Sequence, residues 1–121
     1  ETFSSCAEQQ GVALMGGSLR SVNDTAFDLI INGTAASLHG ELPDLPSSIF
    51  GGAATNTASL AYDMMYAQQP TLFMQWARTN SATKTADGLG MLVEQAAEAF
   101  FIWNQQRPAT QPEIQALRQD Y

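Results

Sequence analysis

The sequence predicts an all-α fold, a single domain over residues 1–121 with about five helices and a long irregular Gly/Pro-containing loop in its first half. Three observations lead there. Apolar residues recur at helical spacing through most of the chain, capping signatures stand at the segment boundaries, and no stretch alternates convincingly as a half-buried strand would. A length of 121 residues suits one domain, and 45% apolar residues can form a core without disulfide staples.

The elements follow in order. Ser5 and Glu8 make a capping box, in which each side chain satisfies an orphan backbone N–H of the first turn, and Gly16-Gly17 stops that helix. Asn23 or Asp24 caps a second helix, which carries Phe27, Ile30 and Ile31 on one face and exits at Gly33. From Thr34 to Gly52 the periodicity is broken by Pro43, Pro46, Gly40, Gly51 and Gly52. Compact domains seldom keep so long a loop without a use for it.

A third helix is predicted from about Ala53 to Gln68, with Leu60, Ala61, Met64 and Met65 on one stripe. Pro70 suits the first turn of a fourth, where Leu72, Phe73, Trp76 and Ala77 share a face. Thr85 with Asp87 opens the longest, about Ala86 to Gln105. Its apolar set is Leu89, Leu92, Val93, Ala96, Ala97, Phe100 and Trp103, with Glu94 and Glu98 away from it. Arg107-Pro108 ends it. Thr110 and Glu113 form a second capping box, with Pro112 in the first turn and Arg118 in the last, where it complements the helix dipole.

Charge narrows the function. The net charge is -7 and the pI about 4.3, and only 14% of residues are charged, against about 25% in an average domain. Nucleic acid draws its binding energy from Lys and Arg, and the five basic residues here are scattered. An anionic membrane surface would repel the chain for the same reason. Cys6 is the sole cysteine, which excludes an internal disulfide and a cysteine-based zinc site. It reads as a helix residue or as a bond to a partner chain. A chain beginning at Glu1 suggests a processed N-terminus, as signal-peptide removal would leave, and a sequence cut for expression would look the same.

Candidate chemistry is thin. His39, the one histidine, has only Glu41 and Asp44 near it as further metal ligands, in a loop where polar residues are ordinary. Ser81-Ala82-Thr83-Lys84 matches Ser-x-x-Lys but lacks the companion elements of penicillin-recognising enzymes. Gly88-Leu89-Gly90 lacks the third glycine of a dinucleotide fingerprint. Glu94 and Glu98 lie one turn apart on a polar helix face, as solvated surface does. Asn23-Asp24-Thr25 and Asn32-Gly33-Thr34 are glycosylation sequons with ordinary turn and capping alternatives. Catalytic, cofactor-binding and metal residues are therefore assigned to none. The surplus is apolar: Phe100 to Trp103, with Trp76, Tyr62, Tyr66, Met64, Met65 and Met74, are the side chains that interfaces enrich. A partner-facing patch is expected to include Trp76, Phe101 and Trp103, with Leu45 and Phe50 of the loop as a second contact.

Within Ser59–Arg107, the segments Tyr-Asp-Met-Met-Tyr, Phe-Met-Gln-Trp-Ala-Arg and Ala-Phe-Phe-Ile-Trp-Asn resemble the small third subunit of membrane-bound quinohaemoprotein alcohol dehydrogenases. That resemblance implies a periplasmic, non-catalytic accessory subunit, without a cofactor of its own. It would stabilise a large PQQ-containing catalytic subunit beside a multihaem cytochrome c subunit that carries haem c, and reach the membrane only through them. A stand-alone secreted ligand-binding or inhibitor domain, and an enzyme working through Glu94 and Glu98, remain the alternatives.

Overall fold

Leu29-Ile30-Ile31 is a short run of apolar side chains, two of them β-branched, and it is extended rather than helical: β1 spans Leu29–Asn32. The structure is a computed structural model that describes residues 7, 9–22, 25–50 and 59–120. Two further strands, β2 (Leu60–Asp63) and β3 (Lys84–Asp87), complete a three-stranded sheet of order β1-β2-β3, parallel throughout. The all-α expectation is thereby corrected to an α/β fold.

The reason lies in how parallel strands look in sequence. They are covered on their faces, so they read as brief apolar runs without alternation, and a run of four cannot be told from one buried helical turn. Ile30 and Ile31, expected on one helix face, project to opposite sides of β1, the first half-buried and the second exposed. Leu60 and Ala61, likewise read as a helical stripe, divide in the same way on β2, where Ala61 is fully buried.

Three α-helices have their bounds among the described residues: α1 (Leu72–Thr79), α2 (Leu89–Asn104) and α3 (Gln111–Asp120). Helix α1 connects β2 to β3 and packs against both. Thr71 caps it, its hydroxyl accepting the Met74 N–H at 3.2 Å. That helix buries Phe73, Met74 and Ala77. The segment expected as an irregular loop contains two 3-10 turns, Ala36–His39 and Ser47–Phe50, and the second places Ile49 and Phe50 in the core with Ala61, Phe73 and Ala77. The Phe27 N–H donates to the Ile49 carbonyl at 3.0 Å, tying that turn beside β1.

The predicted caps Ser5, Glu8, Asn23 and Asp24 lie outside the described residues, as does the start of the helix expected from Ala53. No helix among the described residues is long and apolar enough to cross a membrane.

Candidate functional site

Parallel strands all leave the sheet at one edge, and here the register puts Asn32, Asp63 and Asp87 side by side in a row at that edge. All three are buried, although most of the residues before them on each strand are exposed or half-buried. Buried polar groups must find hydrogen-bond partners, and these do.

Asp63 is 0% exposed and its carboxylate is the hub. Oδ2 accepts the hydroxyls of Ser37 at 2.8 Å and Thr71 at 2.6 Å. Oδ1 accepts the Met65 N–H at 3.1 Å and the Asn32 amide at 3.3 Å. One carboxylate therefore ties the exits of β1 and β2 to the cap of α1. Asn32 in turn uses its side-chain oxygen to accept the N–H and the hydroxyl of Thr34, at 3.1 and 2.7 Å, which folds the chain away from the edge.

Asp87, at the end of β3, is handled differently. Its side chain is 6% exposed and meets a cation. Arg118 of α3 donates from Nη2 to Oδ1 at 2.6 Å and from Nη1 to Oδ2 at 3.1 Å, a bidentate fork. The Leu89 N–H, first in α2, also donates to Oδ1 at 3.2 Å. The hydrogen bond to Asp87 raises the guanidinium's pKa; partial burial acts the other way and the Coulomb attraction adds to the rise.

Between these anchored carboxylates the strand exits pack closely. Gly88 donates its N–H to the Met65 carbonyl at 3.0 Å, and a Cβ there would lie 2.0 Å from the Met64 carbonyl oxygen. A Cβ on Gly33 would lie 3.1 Å from the Met64 sulfur. Met64, whose N–H is held by the Asn32 carbonyl at 3.0 Å, is 42% exposed. The edge thus presents a thioether between two glycines. Beside it a cleft of about 120 Å³ is lined by Tyr66, Ala67, Gln68, Leu89, Leu117 and Arg118. In open α/β sheets ligands bind outside the carboxyl ends of the strands, which is where this row and the cleft beside it lie.

The sequence-derived residues fall elsewhere. Leu45, Phe50 and Trp76 come together in the core cluster, with the Phe50 and Trp76 rings 5.4 Å apart in an edge-to-face arrangement. Phe101 and Trp103 are on α2, Trp103 at 78% exposure. His39 ends an exposed 3-10 turn, and Asp44 pairs with Arg20. Among the described residues no group of three or more potential metal ligands gathers. Glu94 and Glu98 both engage Arg107, and Thr110 donates to Glu94. Lys84 starts β3, at the opposite edge from Asp87. The residues that sequence reasoning passed over are Asn32, Asp63, Asp87 and Gly88. A signal existed: each of three short segments ends on Asn or Asp, and two of those are followed by Gly.

The class defined by this arrangement is a parallel α/β sheet with a row of buried polar side chains at the strand exits. Comparison with known proteins is more specific. Residues 88–118 match the family described as "Shikimate 5'-dehydrogenase C-terminal domain". The chain is 55% identical over 97 residues to the shikimate dehydrogenase (NADP(+)) of Cellvibrio japonicus (strain Ueda107), covering 80% of this chain and 33% of the relative. Among solved structures, an Ael1 enzyme from Pseudomonas putida superposes with a TM-score of 0.78 at 37% identity, over 93% of this chain and 40% of the other. The shikimate 5-dehydrogenase of Thermus thermophilus, solved with shikimate, gives a TM-score of 0.62 at 26% identity, over 96% and 40% of the two chains. The chain spans about a third to two fifths of the length of the relatives it matches.

These findings overturn the resemblance to the quinohaemoprotein subunit. The three segments that carried it lie in the region now aligned with dehydrogenases of another kind. Segments of general aromatic and Met character had suggested it, and such character is equally that of a sheet edge and a core. With it fall the PQQ and haem c partner subunits, the accessory, non-enzymatic role, which the lack of catalytic motifs had also suggested, and the periplasmic location, which the Glu1 start had also suggested. The relatives carry the name of an NADP-dependent enzyme.

Proposed function

We propose that this chain supplies the carboxyl-terminal part of an NADP-dependent shikimate dehydrogenase, and that the edge formed by Asn32–Gly33, Asp63–Tyr66 and Asp87–Gly88 seats the nicotinamide end of the cofactor. The observation that carries this reading is the in-register row of Asn32, Asp63 and Asp87 with bare glycine backbone beside Met64. High identity to enzymes named for NADP and shikimate supports it.

The residues fit the group. A nicotinamide ring is flat and polarisable, and a half-exposed thioether makes favourable contact with such rings. Glycine at 88 lets the exits of β2 and β3 approach closely, so the floor is continuous. When bound, NADP supplies the hydride acceptor for oxidation of a secondary alcohol. The chain's own part is to hold and orient. Asp63 and Asp87 each accept several donors from this chain, so they fix the floor. Met64 and Tyr66 present the contact surface.

The test is a steady-state assay of the enzyme carrying this chain, with NADP and shikimate, following NADPH absorbance. A rise that needs both compounds is expected, and it should be abolished by Gly88→Val. Absence of turnover in well-folded enzyme would refute the reading.

A further inference from the structure

We propose that Arg118, near the end of the chain, is a positioning residue for the cofactor edge, acting through Asp87; this assignment rests on the dehydrogenase reading above. The geometry of one carboxylate carries it. Asp87 Oδ1 accepts two donors at once, the Leu89 N–H and Arg118 Nη2, while Oδ2 takes Arg118 Nη1. The first donor fixes the turn Asp87-Gly88-Leu89. The other two fix the carboxylate itself, from a helix 31 residues downstream.

The Asp87 side chain is nearly fully buried, and Arg118 is its cationic partner. Deprived of that partner, the buried Asp87 side chain is strongly disfavoured where it stands, since burying an unpaired charge is costly. Rotating outward would relieve this, and would release the Leu89 N–H. Gly88 would then lose its constraint on one side, and Gly88 is the residue whose backbone sits against the Met64 carbonyl. Arg118 itself is half-exposed and lines the adjoining cleft with Tyr66 and Leu117. Its effect on the edge therefore passes through Asp87. A lysine cannot substitute fully, because a single ammonium lacks the two-pronged fork.

The experiment uses the enzyme carrying this chain and three variants: R118A, R118K and the double variant D87N/R118A. The double variant removes the unpaired buried charge while its carboxamide oxygen still accepts the Leu89 N–H, so it guards against simple misfolding. The expected result is a rise of about tenfold in the KM for NADP in R118A, the weight of one lost charge-assisted hydrogen bond. The kcat at saturation and the KM for shikimate should hold, R118K should fall between, and D87N/R118A should recover most of the loss. A purely structural role would lower Tm in R118A and leave both KM values unchanged; that outcome overturns the proposal. Hydrogen exchange without nucleotide supplies the independent readout: the Gly88 and Leu89 amides of R118A should exchange about tenfold faster, with β2 unchanged. Unaltered exchange there also overturns it. Faster exchange in an enzyme that neither binds nor reduces NADP would uphold the clamp and sink the dehydrogenase reading instead.

Discussion

Thr71 donates its hydroxyl proton to the fully buried Asp63 carboxylate at 2.6 Å while its oxygen accepts the Met74 N–H at 3.2 Å. One side chain thus caps α1 and anchors it to the exit of β2. Removing the carboxylate strands the donors of Asn32, Ser37, Met65 and Thr71 together. Asp63→Ala is expected to lower stability by about 3 kcal/mol or more, since each orphaned buried donor is costly. Urea unfolding monitored by circular dichroism measures it. A loss under about 1 kcal/mol would mean that water replaces the carboxylate without penalty.

Thr71→Val isolates the cap from the hub. It keeps the shape and removes both hydrogen bonds of the hydroxyl, so the expected loss is about 1–2 kcal/mol. The same unfolding measurement should rank it well below Asp63→Ala. Equal losses would show that Asp63 matters only through α1.

Gly88→Ala places a methyl group where the Met64 carbonyl oxygen already lies, 2.0 Å away. Backbone cannot yield as a flexible side-chain end can, so β2 and β3 must separate at their exits. The expected cost is about 1–3 kcal/mol, typical of overpacking, together with loss of NADP use. Gly90→Ala is the control, because a Cβ there meets nothing within 4 Å. It should leave Tm and activity near wild type, and comparable damage from both would point to a general helix effect.

How much of this was legible in the sequence depended on the length of each element. The 16 residues of α2 contain several periods of apolar spacing, and the pattern Thr110, Pro112 and Glu113 announces α3, although the Thr110 hydroxyl donates to Glu94. Four-residue strands offer no such repetition. Leu60 to Asp63 becomes a strand because Leu29 to Asn32 and Lys84 to Asp87 lie beside it, and those partners are 31 positions before it and 24 after it. The site was harder still. Asn32, Asp63 and Asp87 are ordinary polar residues until the register aligns them, and Asp87 looks like a helix cap until Arg118 is brought onto it. Trp76 and Phe50, expected on a partner-facing patch, pack on each other at the core cluster. Large aromatics serve both purposes, and only packing separates them.

On the reading proposed above, the strand exits around Met64 receive the cofactor. The most direct test is NMR of the enzyme carrying this chain, labelled at methionine methyls and backbone amides, titrated with NADP. The account expects saturable shifts at the Met64 methyl and at the Gly33 and Gly88 amides, with Lys84 at the opposite edge silent. Saturation with no change at those three positions, or shifts confined to the Lys84 end of the sheet, would contradict it.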